Sequence, residues 1–261
     1  AFRNEKNMGS GVINKAIHEV AQCEYIAIHH SDDIWEPEKL EKQVAFLDAH
    51  PEIGAVFSQA RIIDENGNDL QDPKNFYYKI FDQPNRNRFE WLNFFFYHGN
   101  ALCHPSVLIR KKCYDDCGTY RLGFAQVPDL DMWVRLCQKY EIYVYPEKLV
   151  RYRVREKGQN VSSSTMNTKI RANYEFLHIY EEYKKVSSPE ELKQIFPEES
   201  AYFKPEGYDI DFILAMAGLE KKGVQLKARK VFSLNLLFEI FGDPKKTQKI
   251  KELYNFTSKD F

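Results

Sequence analysis

The sequence predicts an α/β fold: a mixed sheet flanked by helices, followed by a helical C-terminal subdomain. Three observations lead there. Between Gly11 and Tyr145, short apolar runs of strand length alternate with stretches of helical spacing, the pattern of a parallel or mixed sheet with helices on its faces. The run Tyr25-Ile-Ala-Ile28 gives way at once to polar His29 to Asp33, as where a buried strand opens into a functional loop. From Lys169 onward the spacing is helical throughout.

Taken in order, Val12, Ile13, Ala16, Ile17 and Val20 predict a helix after Gly9-Ser10-Gly11. Tyr25 to Ile28 predicts a buried parallel strand. Pro37 stands where a helix start tolerates its missing N–H, and Leu40, Val44 and Leu47 carry that helix to His50-Pro51. Gly54 to Ser58 reads as a strand and Asp64-Glu-Asn-Gly67 as a turn. Residues 72–100 read as irregular and aromatic. Ser106 to Arg110 predicts a strand, Asp129 to Tyr140 a helix through Met132, Trp133, Leu136 and Cys137, and Ile142 to Tyr145 another strand. The α/β body is expected to end near Ser164, which gives domains 1–164 and 165–261. In the second, Phe212, Leu214, Ala215 and Leu219, then Ala228, Val231, Phe232 and Leu236 after Gly223, predict two antiparallel amphipathic helices.

Charge and composition exclude several function classes. The 37 basic and 38 acidic residues leave a net charge of −1, so no basic excess points to nucleic acid. No apolar run approaches the roughly 20 residues of a membrane-spanning helix, and the first residues lack signal-peptide order. A cytoplasmic protein, at most peripheral to a membrane, is expected. The five cysteines, Cys23, Cys103, Cys113, Cys117 and Cys137, show no paired spacing for zinc or redox work and read as buried thiols of a reducing compartment.

Adjacent carboxylates at a strand end are costly to hold together unless a cation, a hydroxyl-rich ligand or helix N–H groups neutralise them. For Asp32 and Asp33 two readings stand side by side. One carboxylate binds a divalent ion on a nucleotide diphosphate while the other touches sugar or ribose hydroxyls, or one of them caps the helix ahead. The aromatics between Phe76 and Tyr97 suit either a thick core or a sugar-stacking surface, and Arg86 and Arg88 lie in the same stretch.

The segment Glu24-Tyr-Ile-Ala-Ile-His-His-Ser-Asp-Asp-Ile-Trp-Glu-Pro-Glu-Lys-Leu, with Asn7-Met-Gly-Ser-Gly and Asn14-Lys-Ala before it, resembles the family 2 glycosyltransferases of GT-A fold. His104-Pro-Ser-Val-Leu-Ile-Arg, Gly118-Thr-Tyr, Pro128-Asp-Leu-Asp-Met-Trp, and Tyr152-Arg-Val-Arg155 with Asn160-Val-Ser extend the resemblance over roughly residues 3–164. It implies inverting transfer of a sugar from a nucleotide-diphosphate sugar to a glycan or glycoprotein acceptor, with Asp129 as general base. On the same resemblance His30, Ser31, Asp32, Asp33 and Arg155 bind the donor, Asp32 and Asp33 hold Mn²⁺ or Mg²⁺, and Asp131, Trp133 and His104 face the acceptor.

The chain departs from the family pattern at three positions. His30 stands where an acid is usual, Pro128 where a Glu precedes the base, and Arg155 where a histidine is common. Imidazole is a poorer Mg²⁺ ligand than carboxylate, and a guanidinium pairs with phosphate rather than with a cation. Family members also begin with a strand, a nucleotide-recognising Asp and a crossover helix that this chain does not show, so the GT-A domain is expected to be incomplete at its N-terminal side. Two rivals to catalysis remain: a non-catalytic glycan-binding or assembly module of a larger enzyme, and, more weakly, a nucleotidyltransferase. A homo-oligomer formed through the C-terminal helices is a further expectation.

Overall fold

The computed structural model describes residues 11–155, 165–221, 223 and 226–260. The Asn7–Ser10 and Asn160–Ser162 matches lie outside the described residues. The described chain falls into two compact units, one drawn from residues 1–91 and 100–169 and the other from 92–99 and 170–261.

The first unit runs α1 (Gly11–Lys15, extended by a π-helical turn Ala16–Val20), β1 (Tyr25–Ala27), β2 (Ile34–Trp35), α2 (Lys39–Ala49), β3 (Ile53–Ile63), the first turn of α3 (Arg88–His98), β4 (Leu108–Arg110), α4 (Lys111–Cys117), α5 (Pro128–Cys137) and β5 (Glu141–Arg153). Its five strands pair in the order β1-β4-β3-β5-β2. The sheet is mixed: β3 and β5 run parallel, from Ile53 opposite Glu141 to Ile63 opposite Arg153, whereas β4 and β2 pair antiparallel with their neighbours. The expected parallel strand at Tyr25 is corrected here, since its partner β4 runs antiparallel, with Ile26 opposite Ile109. Strand length and apolarity predict a buried strand but carry no direction.

Two differences from the sequence reading have local causes. β3 and β5 are far longer than their apolar cores because each supplies the other's ladder through polar Gln59, Arg61, Lys148 and Arg151. Residues 88–98, read as irregular, form α3, whose aromatics mask the amphipathic period: Trp91, Phe95, Phe96 and Tyr97 are all buried. Of the aromatic cluster only Phe76 is largely exposed, so most of it is core. Arg86 lies over the Trp91 ring at 4.7 Å, and Arg88 donates to the Gln138 carbonyl at 2.8 Å; both serve packing. Three thiols are buried as expected, but Cys23 is exposed and Cys117 half-buried.

The second unit is helical, with α6 (Met166–Glu182, its first turn in the other unit), α7 (Pro189–Ile195), α8 (Ile210–Leu219), α9 (Leu226–Gly242) and α10 (Pro244–Tyr254). Phe96 meets Tyr180, Tyr183 and Phe196 at about 5 Å, ring centre to ring centre, in the edge-on geometry aromatic quadrupoles favour. The two expected helices are α8 and α9. They pack closely enough that a Cβ on Gly218 would collide with the Ser233 hydroxyl. Buried Arg229 closes the end of α8 by donating to the Gly218 and Glu220 carbonyls at 3.3 and 2.9 Å, groups a helix end otherwise leaves unpaired.

Candidate active site

The sheet gathers the sequence-predicted residues by register. Ile34 sits opposite Arg151, and Ile63 sits opposite Arg153. The turn at Ser31-Asp32, the end of β3 and the end of β5 are thereby brought to one place. Asp33 is buried at 6% exposure. Its Oδ1 accepts the Arg153 N–H at 2.8 Å, and its Oδ2 lies 3.5 Å from His30 Nδ1. The helix-cap reading is corrected by this geometry: α2 begins only at Lys39 with no side-chain cap, and one oxygen of Asp33 is engaged by β5.

Asp32 is half-exposed, and its Oδ2 lies 3.5 Å from Arg155 Nη2. Ser31, in the turn, is exposed. One ring nitrogen of His30 and one oxygen each of Asp32 and Asp33 lie within 4.8 Å of one another. One imidazole nitrogen and two carboxylate oxygens so placed can share a divalent cation, and the mixed donor set suits Mn²⁺ better than Mg²⁺.

A residue the sequence reading passed over fastens this loop. Arg153 donates from Nε to the Asp32 carbonyl at 2.8 Å and from Nη1 to the Asp64 and Glu65 carbonyls at 2.9 and 2.8 Å. It ties the acidic turn to the turn after β3. Its only sequence signal was its place between Tyr152 and Arg155. Lys39 was missed as well. Fully buried, it lies 4.3 Å over the Trp35 ring and donates to Gln43 Oε1 at 2.6 Å. Burial pushes its ammonium down to about 7.

The second patch lies at the start of α5, where Pro128 occupies the first turn and Asp129 and Asp131 follow. Asp129 is half-buried. Its Oδ2 accepts the Asn100 amide at 2.7 Å, and its Oδ1 accepts the Leu130 N–H at 2.8 Å. Desolvation raises its pKa above the ordinary carboxylate range; the Leu130 and Asp129 backbone N–H groups, the Asn100 amide and the charge of nearby His30 act against that rise. Asn100 also accepts the Leu102 N–H at 2.9 Å, which fixes the amide's orientation.

His104 joins the patches. Its ring stands edge-on to His30 at 5.1 Å and to Trp133 at 5.6 Å, and its Nε2 lies 2.9 Å from the Tyr120 hydroxyl. Burial, with neighbouring His30, pushes it down to about 3, so it is neutral near pH 7. The Tyr120 backbone is clamped by Asn14, which accepts its N–H at 3.1 Å and donates to its carbonyl at 2.6 Å.

Two acceptor-side expectations are corrected. Asp131 is fully buried, held by Arg121 on one side and by Arg135 Nη2 at 2.9 Å on the other; its lone pairs are spent on two guanidiniums. Trp133 is fully buried and packs edge-on against Phe57 at 4.8 Å. Both are shut away from solvent in this structure.

Residues 1–110 match the family described as glycosyl transferase family 2. Over those residues the chain is similar to that family. It is 31% identical over 163 residues to the uncharacterized glycosyltransferase MJ1057 of Methanocaldococcus jannaschii, a match covering 62% of this chain and 52% of that protein. It is 28% identical over 134 residues to the amylovoran biosynthesis glycosyltransferase AmsE of Erwinia amylovora, covering 51% and 45% of the two. The chain thus spans about half the length of these curated relatives. Among solved structures it resembles the mannosyltransferase PcManGT of Pyrobaculum calidifontis, in complex with GDP-Man and Mn²⁺, at a TM-score of 0.44 and 13% identity over 96% of this chain and 68% of that one. Among the described residues no helix is long and apolar enough to cross a membrane.

Proposed function

We propose that this chain is a family 2 glycosyltransferase that moves a sugar from a nucleotide-diphosphate sugar to a hydroxyl of a glycan or glycoprotein acceptor, inverting the anomeric configuration, with Asp129 as general base. One observation carries the reading. A half-buried carboxylate of raised pKa, oriented by an amide, stands within electrostatic reach of His30, which itself belongs to a three-residue cluster suited to a divalent cation. Paired titratable sites in unlike environments mark acid–base work.

Asp129 takes the proton of the acceptor hydroxyl, the freed oxygen forms its bond to the anomeric carbon, and the bond from that carbon to the diphosphate breaks with its electron pair on the leaving oxygen. Both ends of the reaction must be held in line, which is the main contribution of positioning. His30, Asp32 and Asp33 would hold the divalent cation, which supplies charge neutralisation at the diphosphate. Arg155 is placed to pair with phosphate oxygens once Asp32 turns to the cation. His104, kept neutral, adds no competing positive charge beside the cation.

A thermal-shift panel of UDP-, GDP- and dTDP-sugars with and without Mn²⁺ tests donor binding, and donor-dependent transfer or hydrolysis tests the chemistry. The expected outcome is a Mn²⁺-dependent shift with one nucleotide class, and an Asp129→Asn variant that keeps the shift and loses the chemistry. Unimpaired chemistry in that variant would remove Asp129 from its role. A wild-type chain that binds donor without any turnover would favour the glycan-binding or assembly module.

A further inference from the structure

α9 carries apolar side chains on two faces, and its fold uses one of them. Ala228, Phe232, Leu236, Leu237 and Ile240 are buried within the helical unit. On the other face Val231 and Leu234 are 45% exposed and Phe238 is 79% exposed. The spacing Val231, Leu234, Phe238 keeps the three within one narrow stripe of the helix. Lys227 and Lys230, both exposed, open the same stripe. From residue 226 to residue 238 there is no acid at all, and the helix's one carboxylate, Glu239, faces Lys184 at 3.9 Å. The charge of the unit is segregated along the chain: residues 170–220 carry five Lys and Arg against eleven Asp and Glu, whereas residues 226–260 carry eight against four.

We propose that this face of α9 docks on an anionic lipid surface, with Phe238, Leu234 and Val231 entering the headgroup–acyl boundary and Lys227 and Lys230 pairing with lipid phosphates. Exposed apolar groups beside cations on an acid-free helix face are the chemistry by which a helix lies in a membrane interface. Charge argues against a second copy of the same face as occupant, because that face offers Lys227 and Lys230 no acid: residues 226–238 carry none. The inference is independent of the sugar-transfer reading, since it rests on a different unit and needs no donor.

The test is flotation of the whole chain with phosphatidylcholine vesicles containing roughly one third phosphatidylglycerol, against vesicles of phosphatidylcholine alone. Binding is expected to the first and to be weakened by salt. A double variant Lys227→Glu with Lys230→Glu, and separately Leu234→Ser with Phe238→Ser, should each lower the bound fraction about tenfold while melting like the wild type. The proposal is overturned if the wild type fails to float with the anionic vesicles at low salt, or if both variants float as it does. It is equally overturned if light scattering shows a dimer that Leu234→Ser with Phe238→Ser abolishes, for the face then belongs to a second copy.

Discussion

The turn at residues 31–33 and the start of α5 each present two acids close together, and in both places the structure splits the pair. Asp33 and Asp131 are buried, the first with one oxygen engaged by a β5 N–H and the other near His30, the second held by two arginines. Asp32 and Asp129 are half-buried and keep part of their accepting capacity. The comparison teaches that the more buried carboxylate of each pair is anchored to the fold, so that its neighbour can be held incompletely satisfied beside it. A polar group left short of partners costs stability, and the anchored neighbour supplies the rigidity that sustains it.

The sharpest way to break that comparison is within α5. Asp131→Ala leaves Arg135, which is 9% exposed, without its carboxylate and should cost about 3–5 kcal/mol in urea unfolding. Asp129→Asn should melt no lower than the wild type at pH 7. Desolvation raises the folded pKa of this acid, so the ionised form is penalised; the penalty is absent below the unfolded pKa and grows as pH rises through the folded one, and an amide never bears it. If both substitutions destabilised alike, the division of labour in α5 would be wrong.

At the acidic turn, Arg153→Ala removes three donors to backbone carbonyls and should lower stability by about 2 kcal/mol, with a larger loss of Mn²⁺-dependent donor binding than of fold. Unchanged donor binding, measured by thermal shift, would show that Asp32 and Asp33 hold their places without it. A smaller effect is expected at Asn100. Asn100→Ala withdraws the amide from Asp129, so the acid limb of the rate profile should move to higher pH and transfer near pH 7 should fall about tenfold. A fall in rate with no movement of that limb would assign Asn100 to packing.

The smallest effect concerns Lys39, beneath the turn. Its folded pKa is depressed to about 7, so folding disfavours the ammonium. That penalty is full below pH 7 and fades as pH rises toward the unfolded value. Lys39→Met should therefore gain about 1 kcal/mol over the wild type at pH 6, with the advantage shrinking through pH 9. A constant difference across that range, read from melting curves, would mean that the lysine does not titrate in the folded state.

Much of this was legible in the residues. The loop at His30 to Asp33, the acid at Asp129 and the helical tail each carry a local signal: a run that ends in acids, a Pro-Asp pair opening a helical stripe, an unbroken helical period. The aromatic stretch concealed α3, because residues apolar on every side have no face for periodicity to reveal. Asp131 and Trp133 were placed on the acceptor side only by a match to a family motif, and both are buried. Spacing places a side chain on a helix without saying which way the helix is packed.

The sequence by itself determined the fold class and which acids lie at the ends of elements, since these follow from local propensity and short-range pattern. Tertiary structure decided which acid of each pair is buried, that Arg153 fastens the turn, and that Asn100, 29 residues before Asp129, holds that carboxylate. Those outcomes depend on strand register and on which groups lose their water, and both are properties of segments distant along the chain and adjacent in the folded molecule.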